Sequence, residues 1–341
     1  MGTTKLSDIA KALELSKTTV SKVLNEYPDV NALTRKRDLD YMKKDGFEHN
    51  RQASFLRTKE TKTVALILPQ MNHDFFDSVL EGVLKIAQQT EYEFYVACSY
   101  ESIELEKKLI FKFLKRNVDA IFLSISQETR NFDHLRKIQE EGKILVLFDK
   151  IEKTIDCPKI IIDDRKASFT ATEHLIKKGC SKILHFRGGF LPQIAIDRYL
   201  GYRDALDEYS IPYDKERVFV CENANEKDGF FAAKKVLESG VEFDGLFSIS
   251  DLTAIGAIQF FKTKKIRTPE DVSVVGFSNW KLSSFTYPTI STIDQPGYLM
   301  GEKVFEAFLS EKALKKQGLG PENKVRKLPS KLIVRESSQR K

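Results

Sequence analysis

Cysteine, histidine, methionine and tryptophan are all scarce in this 341-residue sequence, and each shortage removes a class of protein. The four cysteines, Cys98, Cys157, Cys180 and Cys221, stand apart, without a Cys-x-x-Cys pair or a nearby histidine. That argues against a disulfide framework or a zinc site and suits a reducing compartment. The five histidines (49, 73, 134, 174 and 185) show no ligand spacing. No apolar run approaches the ~20 residues needed to cross a bilayer, and Met1 to Lys11 lack the apolar core of a signal peptide. No Gly-x-Gly-x-x-Gly follows a strand signal, no Gly-x-x-x-x-Gly-Lys-Ser/Thr occurs, and Arg187-Gly-Gly189 is too short to cradle a phosphate. A dehydrogenase or sugar kinase therefore lacks its motifs. The expectation is a cytoplasmic protein that is not an enzyme and uses no metal or cofactor.

Apolar residues make up 41% of the chain and charged ones 30%, a globular composition of about two domains with a small appendage. The net charge of +6 is unevenly spread. Residues 1–60 are at +3 and residues 312–341 at +8, so the stretch between them is acidic, at −5. A mildly basic head on an acidic body fits a protein whose head alone meets an anionic polymer.

From Thr63 onward, short apolar runs alternate with amphipathic stretches. Candidate strands are Val64–Pro69, Phe94–Cys98, Ala120–Ile125, Ile144–Phe148, Ile160–Ile162, Ile183–Phe186, Val218–Val220, Gly245–Ile249, Val272–Phe277 and Leu332–Val334. Continuous Val/Ile/Leu/Phe runs are what parallel strands buried on both faces require. Helix-length segments such as Asp74–Thr90, Ile103–Arg116, Lys166–Lys178 and Glu226–Glu238 lie between them, several closed by Gly142, Gly179 or Gly240. The alternation predicts a doubly wound α/β core, and its length predicts two such sheets; periodicity alone leaves a closed barrel open.

Residues 1–60 follow another rule. Leu6, Ile9, Ala10 and Leu13 fall on one helix face, a tight connection through Glu14-Leu15-Ser16 follows, and Ser16 suits an N-cap. A second helix, Lys17–Asn25, turns Val20, Val23 and Leu24 inward and Lys17, Thr18, Ser21 and Lys22 outward. Two short helices joined by a tight turn, the second basic and hydroxylated on its outer side, predict a helix-turn-helix.

The residues Leu6-Ser-Asp-Ile-Ala-Lys-Ala-Leu-Glu-Leu-Ser-Lys-Thr-Thr-Val-Ser-Lys-Val-Leu-Asn25 closely resemble the opening of LacI-type bacterial transcription regulators, the lactose- and purine-repressor family. The resemblance continues through Asn50–Arg57, Phe76, Asp149, Asp163-Asp164, Arg198–Leu206, Ser250–Gly256, Val272–Phe277 and Thr292–Pro296, nearly the whole chain. It implies an all-α helix-turn-helix headpiece over 1–46, a hinge helix and linker over 47–61, and an effector-binding and dimerisation core over 62–341. It further implies that the core is periplasmic-binding-protein-like, with two doubly wound parallel-sheet lobes. The first would span about 62–162 and 290–321 and the second about 163–289 and 322–336, with crossings near 162, 289 and 322.

By that resemblance, Lys17, Thr18 and Lys22 read base edges, and Thr4, Leu6, Ser16, Thr19, Ser21, Asn25, Thr34 and Asn50 belong to the same DNA contact. Leu56 wedges into the minor groove and Ala53 lets the hinge approach its floor. In the core, Asp149 and Arg198 grip effector hydroxyls or a carboxylate, joined by Asn72, Phe76, Asp164, Ser250, Ser278, Trp280 and Gln295. With Ser250 for a common Asn, Ser278 for a common Asp and the only Trp at 280, the cleft resembles one for a neutral sugar or oligosaccharide, a purine being the alternative. The implied protein is a homodimeric repressor that binds double-stranded operator DNA under control of a small-molecule effector, away from any membrane. One departure supports another reading. The third helix should bury residues 38, 42 and 45, yet Asp38, Met42 and Asp45 stand there, and a buried carboxylate is costly in a small headpiece. A small-molecule-binding protein with an impaired headpiece is the alternative.

Overall fold

The computed structural model describes residues 6–24, 30–44, 60–189, 193–321 and 324–340, and the chain divides into two units, Met1–Thr61 and Lys62–Lys341. The described residues of the first unit include helices α1 (Leu6–Ala12), α2 (Lys17–Leu24) and α3 (Ala32–Lys44). Their core is small: Ile9, Ala10, Val20, Val23 and Met42 are buried, with Leu13, Leu15 and Val30 packed against them. Ser16 caps α2, its Oγ accepting from the Thr19 amide at 3.0 Å. Asp38 is fully buried one turn before Met42, so the carboxylate does occupy the inward face of α3. The Arg37 Nε donates to its Oδ1 at 2.9 Å, while Oδ2 has no partner among the described residues. Asp45 and the expected hinge helix over Asn50–Arg57 lie outside the described residues.

The second unit is built on two six-stranded sheets of the same strand order. The first runs β2 (Glu93–Cys98), β1 (Thr63–Leu68), β3 (Ala120–Leu123), β4 (Ile144–Phe148), β5 (Lys159–Ile162) and β11 (Val325–Leu328), every pair parallel. The second runs β7 (Val218–Val220), β6 (Ile183–Arg187), β8 (Gly245–Ser248), β9 (Ser273–Phe277), β10 (Ser291–Asp294) and β12 (Lys331–Ile333). Only its β10–β12 pair is antiparallel. Helices cover both sheets because the central strands are apolar on both faces; β1, β3 and β9 are almost wholly buried. An open pair of sheets replaces the barrel that periodicity left possible.

The helices are α4 (Asp74–Ala87), α5 (Ile103–Lys115), α6 (Asp133–Glu140), α7 (Asp164–Lys177), α8 (Gln193–Glu208), α9 (Glu226–Ser239), α10 (Asp251–Thr263) and α11 (Gly297–Lys316). They pack in pairs, α4 on α11, α7 on α8 and α9 on α10. Two of the pairs close through reciprocal glycines. A Cβ on Gly82 would stand 2.0 Å from the Tyr298 carbonyl, and one on Gly229 would stand 1.9 Å from that of Thr253.

Two expected crossings between lobes move. Ser291–Asp294 pairs in parallel with β9, so the chain leaves the second lobe after Asp294 and not near 289. Val325–Leu328 pairs in parallel with β5, so it returns after Leu328 and not near 322. Both strands escaped the sequence reading because neither is a continuous apolar run: one is Ser-Thr-Ile-Asp, the other Val-Arg-Lys-Leu.

Candidate functional site

In both lobes the parallel strands end on the same side, where open α/β sheets bind ligands. Residues in the segments that follow four strands of the first lobe (β1 to β4) and five of the second (β6 to β10) line a cavity of about 420 Å³ between the lobes. The first lobe offers Gln70, His73, Phe76, Glu101, Gln127, Asp149 and Lys150, and the second offers Arg198, Asn223, Ser250, Ser278, Trp280 and Gln295.

Asp149 follows β4 with φ +56°, and its Oδ2 accepts from the Ser124 hydroxyl at 3.1 Å. Burial pushes its carboxyl above the usual range, with Lys150 and Arg198 opposing. Arg198 is buried inside α8, more than one turn after that helix begins at Gln193. Its Nε donates to Asp164 Oδ1 at 2.8 Å, one terminal nitrogen donates to the Ile249 carbonyl at 3.2 Å, and the guanidinium lies 3.7 Å from the Phe277 ring centroid. Asp164, raised to about 6 by burial against the pull of Arg198, does not line the cavity; it holds Arg198 from behind.

Trp280 is fixed from both lobes. Its amide donates to Asp251 Oδ2 at 2.7 Å, and the next amide, of Lys281, donates to Asp74 Oδ2 at 2.6 Å across the cleft. The indole meets the His73 ring at 4.3 Å between centroids, and His73 also packs on Phe76 at 5.1 Å. Burial, helped by Lys150, lowers the His73 pKa to about 4, so its imidazole is neutral at pH 7. Trp280 Nε1 and His73 Nδ1 are buried without hydrogen-bond partners among the described residues, and both residues line the cavity.

Of the expected effector residues, Phe76, Asp149, Arg198, Ser250, Ser278, Trp280 and Gln295 line one cavity. Asn72 does not: it is exposed at φ +57° in the turn before α4, which points its neighbour His73 inward instead. The Ser250 hydroxyl caps α10, accepting from the Thr253 amide at 3.1 Å and donating to the Ala224 carbonyl at 2.5 Å. Ser278 donates to Gln295 Oε1 at 2.7 Å. The sequence reading missed His73, Glu101, Gln127, Lys150 and Asn223, although each follows a recognised strand and that position was the available signal. Among the described residues there is no group of side chains able to hold a metal ion, and no helix is long and apolar enough to cross a membrane.

In the first unit, Lys17 and Thr18 are exposed on α2, whereas Thr19, Lys22 and Thr34 are half-buried. The Ser16 and Thr19 hydroxyls are already hydrogen-bonded to each other at 2.8 Å. Only the backbone of Leu6 and Ser21 is described, and Thr4, Asn25, Asn50, Ala53 and Leu56 lie outside the described residues.

Two lobes of one strand order around a polar cavity define a ligand-binding core like those of periplasmic binding proteins. The family model described as periplasmic binding proteins and sugar binding domain of LacI family matches residues 61–326. The chain belongs to the LacI family. It is 32% identical over 337 residues to the HTH-type transcriptional regulator RegA of Clostridium saccharobutylicum, covering 98% of this chain and 99% of that one. It is 27% identical to catabolite control protein A of Priestia megaterium, covering 97% of this chain and 98% of that one. In fold it is similar to the Lac repressor dimer bound to operator and the anti-inducer ONPF, with a TM-score of 0.80, 20% identity and coverage of 98% of this chain and 99% of that one.

Proposed function

We propose that this protein is a sequence-specific DNA-binding transcription repressor, a homodimer on operator DNA, whose operator affinity is set by a sugar in the cleft between the core lobes. The observation that carries the reading is the convergence of Asp149, Arg198 and Trp280 on one cavity at the strand ends. Carboxylate, guanidinium and an indole platform together suit a polyhydroxyl ring. The family description as a sugar binding domain, and relatives named as transcriptional regulators, support the same reading. Residues 1–46 act as a helix-turn-helix headpiece, with exposed Lys17 and Thr18 and half-buried Lys22 on α2 reading the major groove, and residues 47–61 act as the hinge.

A gel-shift titration with DNA flanking its own gene, with and without a panel of sugars, tests this. Lys22→Ala should cost about 1–3 kcal/mol on the specific site and relax base preference there. Equal losses on random DNA would remove Lys22 as a reader. The second reading, a ligand-binding protein with an impaired headpiece, draws on Asp38, a fully buried carboxylate with one oxygen unpartnered among the described residues. It predicts ligand binding with no operator shift, and Asp38→Leu restoring the shift.

A further inference from the structure

The cavity wall contains an ion pair that the Asp149–Arg198 constellation does not explain. The Lys150 ammonium bonds Glu101 Oε1, and both side chains are nearly sealed, 6% and 13% exposed. Such a pair is expensive to bury, and apolar residues of similar volume would stabilise the fold as well or better. The chain nevertheless holds Glu101 firmly. Tyr100 and Glu101 are consecutive non-glycine residues in the left-handed region, at φ +50° and +58°, a strained arrangement. The Glu101 amide donates to the Pro69 carbonyl at 3.0 Å, and the Ser126 hydroxyl donates to the Glu101 carbonyl. The Gln127 amide donates to Oε2 at 2.7 Å, leaving Oε1 for Lys150. The loop that supplies Ser126 and Gln127 is itself pinned by fully buried Glu106. That carboxylate accepts from the Ser126 amide at 2.5 Å and the Thr129 hydroxyl at 2.9 Å, and it meets His134 Nε2 at 2.7 Å.

The wall holds two side-chain cations, and each is answered by a carboxylate: Arg198 by Asp164 behind it, Lys150 by Glu101 beside it. We propose that the Glu101–Lys150 pair is the charge filter of the cleft, cancelling the ammonium that would otherwise attract a phosphorylated or acidic sugar and so restricting the effector to an uncharged polyhydroxyl molecule. This rests on the sugar-effector reading and adds its charge class. A bound neutral ring meets a fixed acceptor and a fixed donor in the pair, whereas an anion must compete with Glu101 Oε1 for the Lys150 ammonium. Glu106 acts one step back, as a positioning residue.

The test uses the full chain as wild type, E101Q, K150M and the double variant. Binding is read by thermal shift and isothermal titration with inorganic phosphate, glucose, glucose 6-phosphate, ribose and ribose 5-phosphate. E101Q keeps the shape of the side chain and an acceptor for Gln127 but removes the anion. It should bind inorganic phosphate at least tenfold more tightly than wild type, and the double variant should lose that gain. E101Q and wild type binding phosphate alike, or wild type preferring a sugar phosphate over its parent sugar, overturns the proposal. Should E101Q fail to fold, K150M carries the test in the opposite sense. Its unpaired carboxylate should raise the glucosamine-to-glucose preference at least tenfold, and an unchanged preference refutes the filter. The phosphate arm needs no sugar. If it behaves as expected while no sugar binds any form, the sugar reading fails and the filter stands.

Discussion

The two lobes share a scaffold and differ in what they bring to the cleft. Both place strands in one order, and both bring a helix pair together on reciprocal glycines. At the strand ends the likeness stops. The first lobe presents charges held by a backbone amide, a hydroxyl and one another: Glu101 by the Gln127 amide, Asp149 by the Ser124 hydroxyl, Lys150 by the Glu101 carboxylate. The second lobe presents one guanidinium, locked by Asp164, among hydroxyls that already cap or bridge its own loops, as Ser250 and Ser278 do. The difference teaches that the apolar repeat sets the architecture while the residues just beyond each strand set the chemistry, and those vary without disturbing the sheet.

The largest expected effect separates the lobes at their best-placed ligands. Arg198→Ala should abolish any sugar-induced rise in Tm and also cost about 3–5 kcal/mol, because it strands Asp164 as a buried carboxylate without its partner. Asp149→Asn retains an acceptor for Ser124, so stability should change by less than about 1 kcal/mol while sugar affinity falls about tenfold. Urea denaturation beside calorimetric titration checks both, and equal stability losses would erase the contrast between a locked cation and a lightly held carboxylate. Next in size is the shared scaffold. Gly82→Ala in the first lobe and Gly229→Ala in the second each drive a methyl into a backbone carbonyl and should each cost about 1–3 kcal/mol. A thermal melt that moves for only one of them would break the equivalence of the two helix pairs.

Much of this was legible in the sequence for a physical reason. Strands buried on both faces must be continuous apolar runs, so β1, β3, β4, β6, β8 and β9 announce themselves, and the helices between them end at glycines that adopt positive φ, as Gly240 does at +71°. β10 and β11 were illegible because both are short and polar, and β11 is an exposed edge strand whose side chains need not be apolar. The lobe crossings were misplaced for that reason alone. In the cleft, Asp149, Arg198 and Trp280 were found through family resemblance, whereas Glu101 and Lys150 were not, since their pairing depends on two consecutive left-handed residues that composition does not reveal. Asp38 is a misfit on the inward face of α3 by sequence, and it is buried there with Arg37, one of the basic residues near it in the chain, as its partner.

The smallest expected effect is a pair of opposing pH dependences, led by Asp251 of the second lobe and His73 of the first. Burial raises the Asp251 carboxyl of the second lobe from 3.8 to about 7, so the folded chain holds a proton there that the unfolded chain has released. Between pH 4 and 7 the folded state therefore binds more protons at this site, and its contribution to stability, full in acid, is lost as the pH rises. His73 of the first lobe is lowered from 6.5 to about 4, so across pH 4 to 6.5 the unfolded chain binds the extra proton and stability grows as the pH rises. Asp164, raised to about 6, adds to the falling contribution, and His185, lowered to about 3, adds to the rising one. In the wild type these slopes oppose each other, and the net dependence should be shallow. Asp251→Asn should make stability climb more steeply from pH 4 to 6.5, and His73→Gln should make it decline over the same range. Urea midpoints measured at half-unit steps of pH decide the matter. Parallel curves for all three proteins would mean that neither group changes its proton affinity on folding, and the electrostatic contrast between the lobes would then be confined to their paired charges.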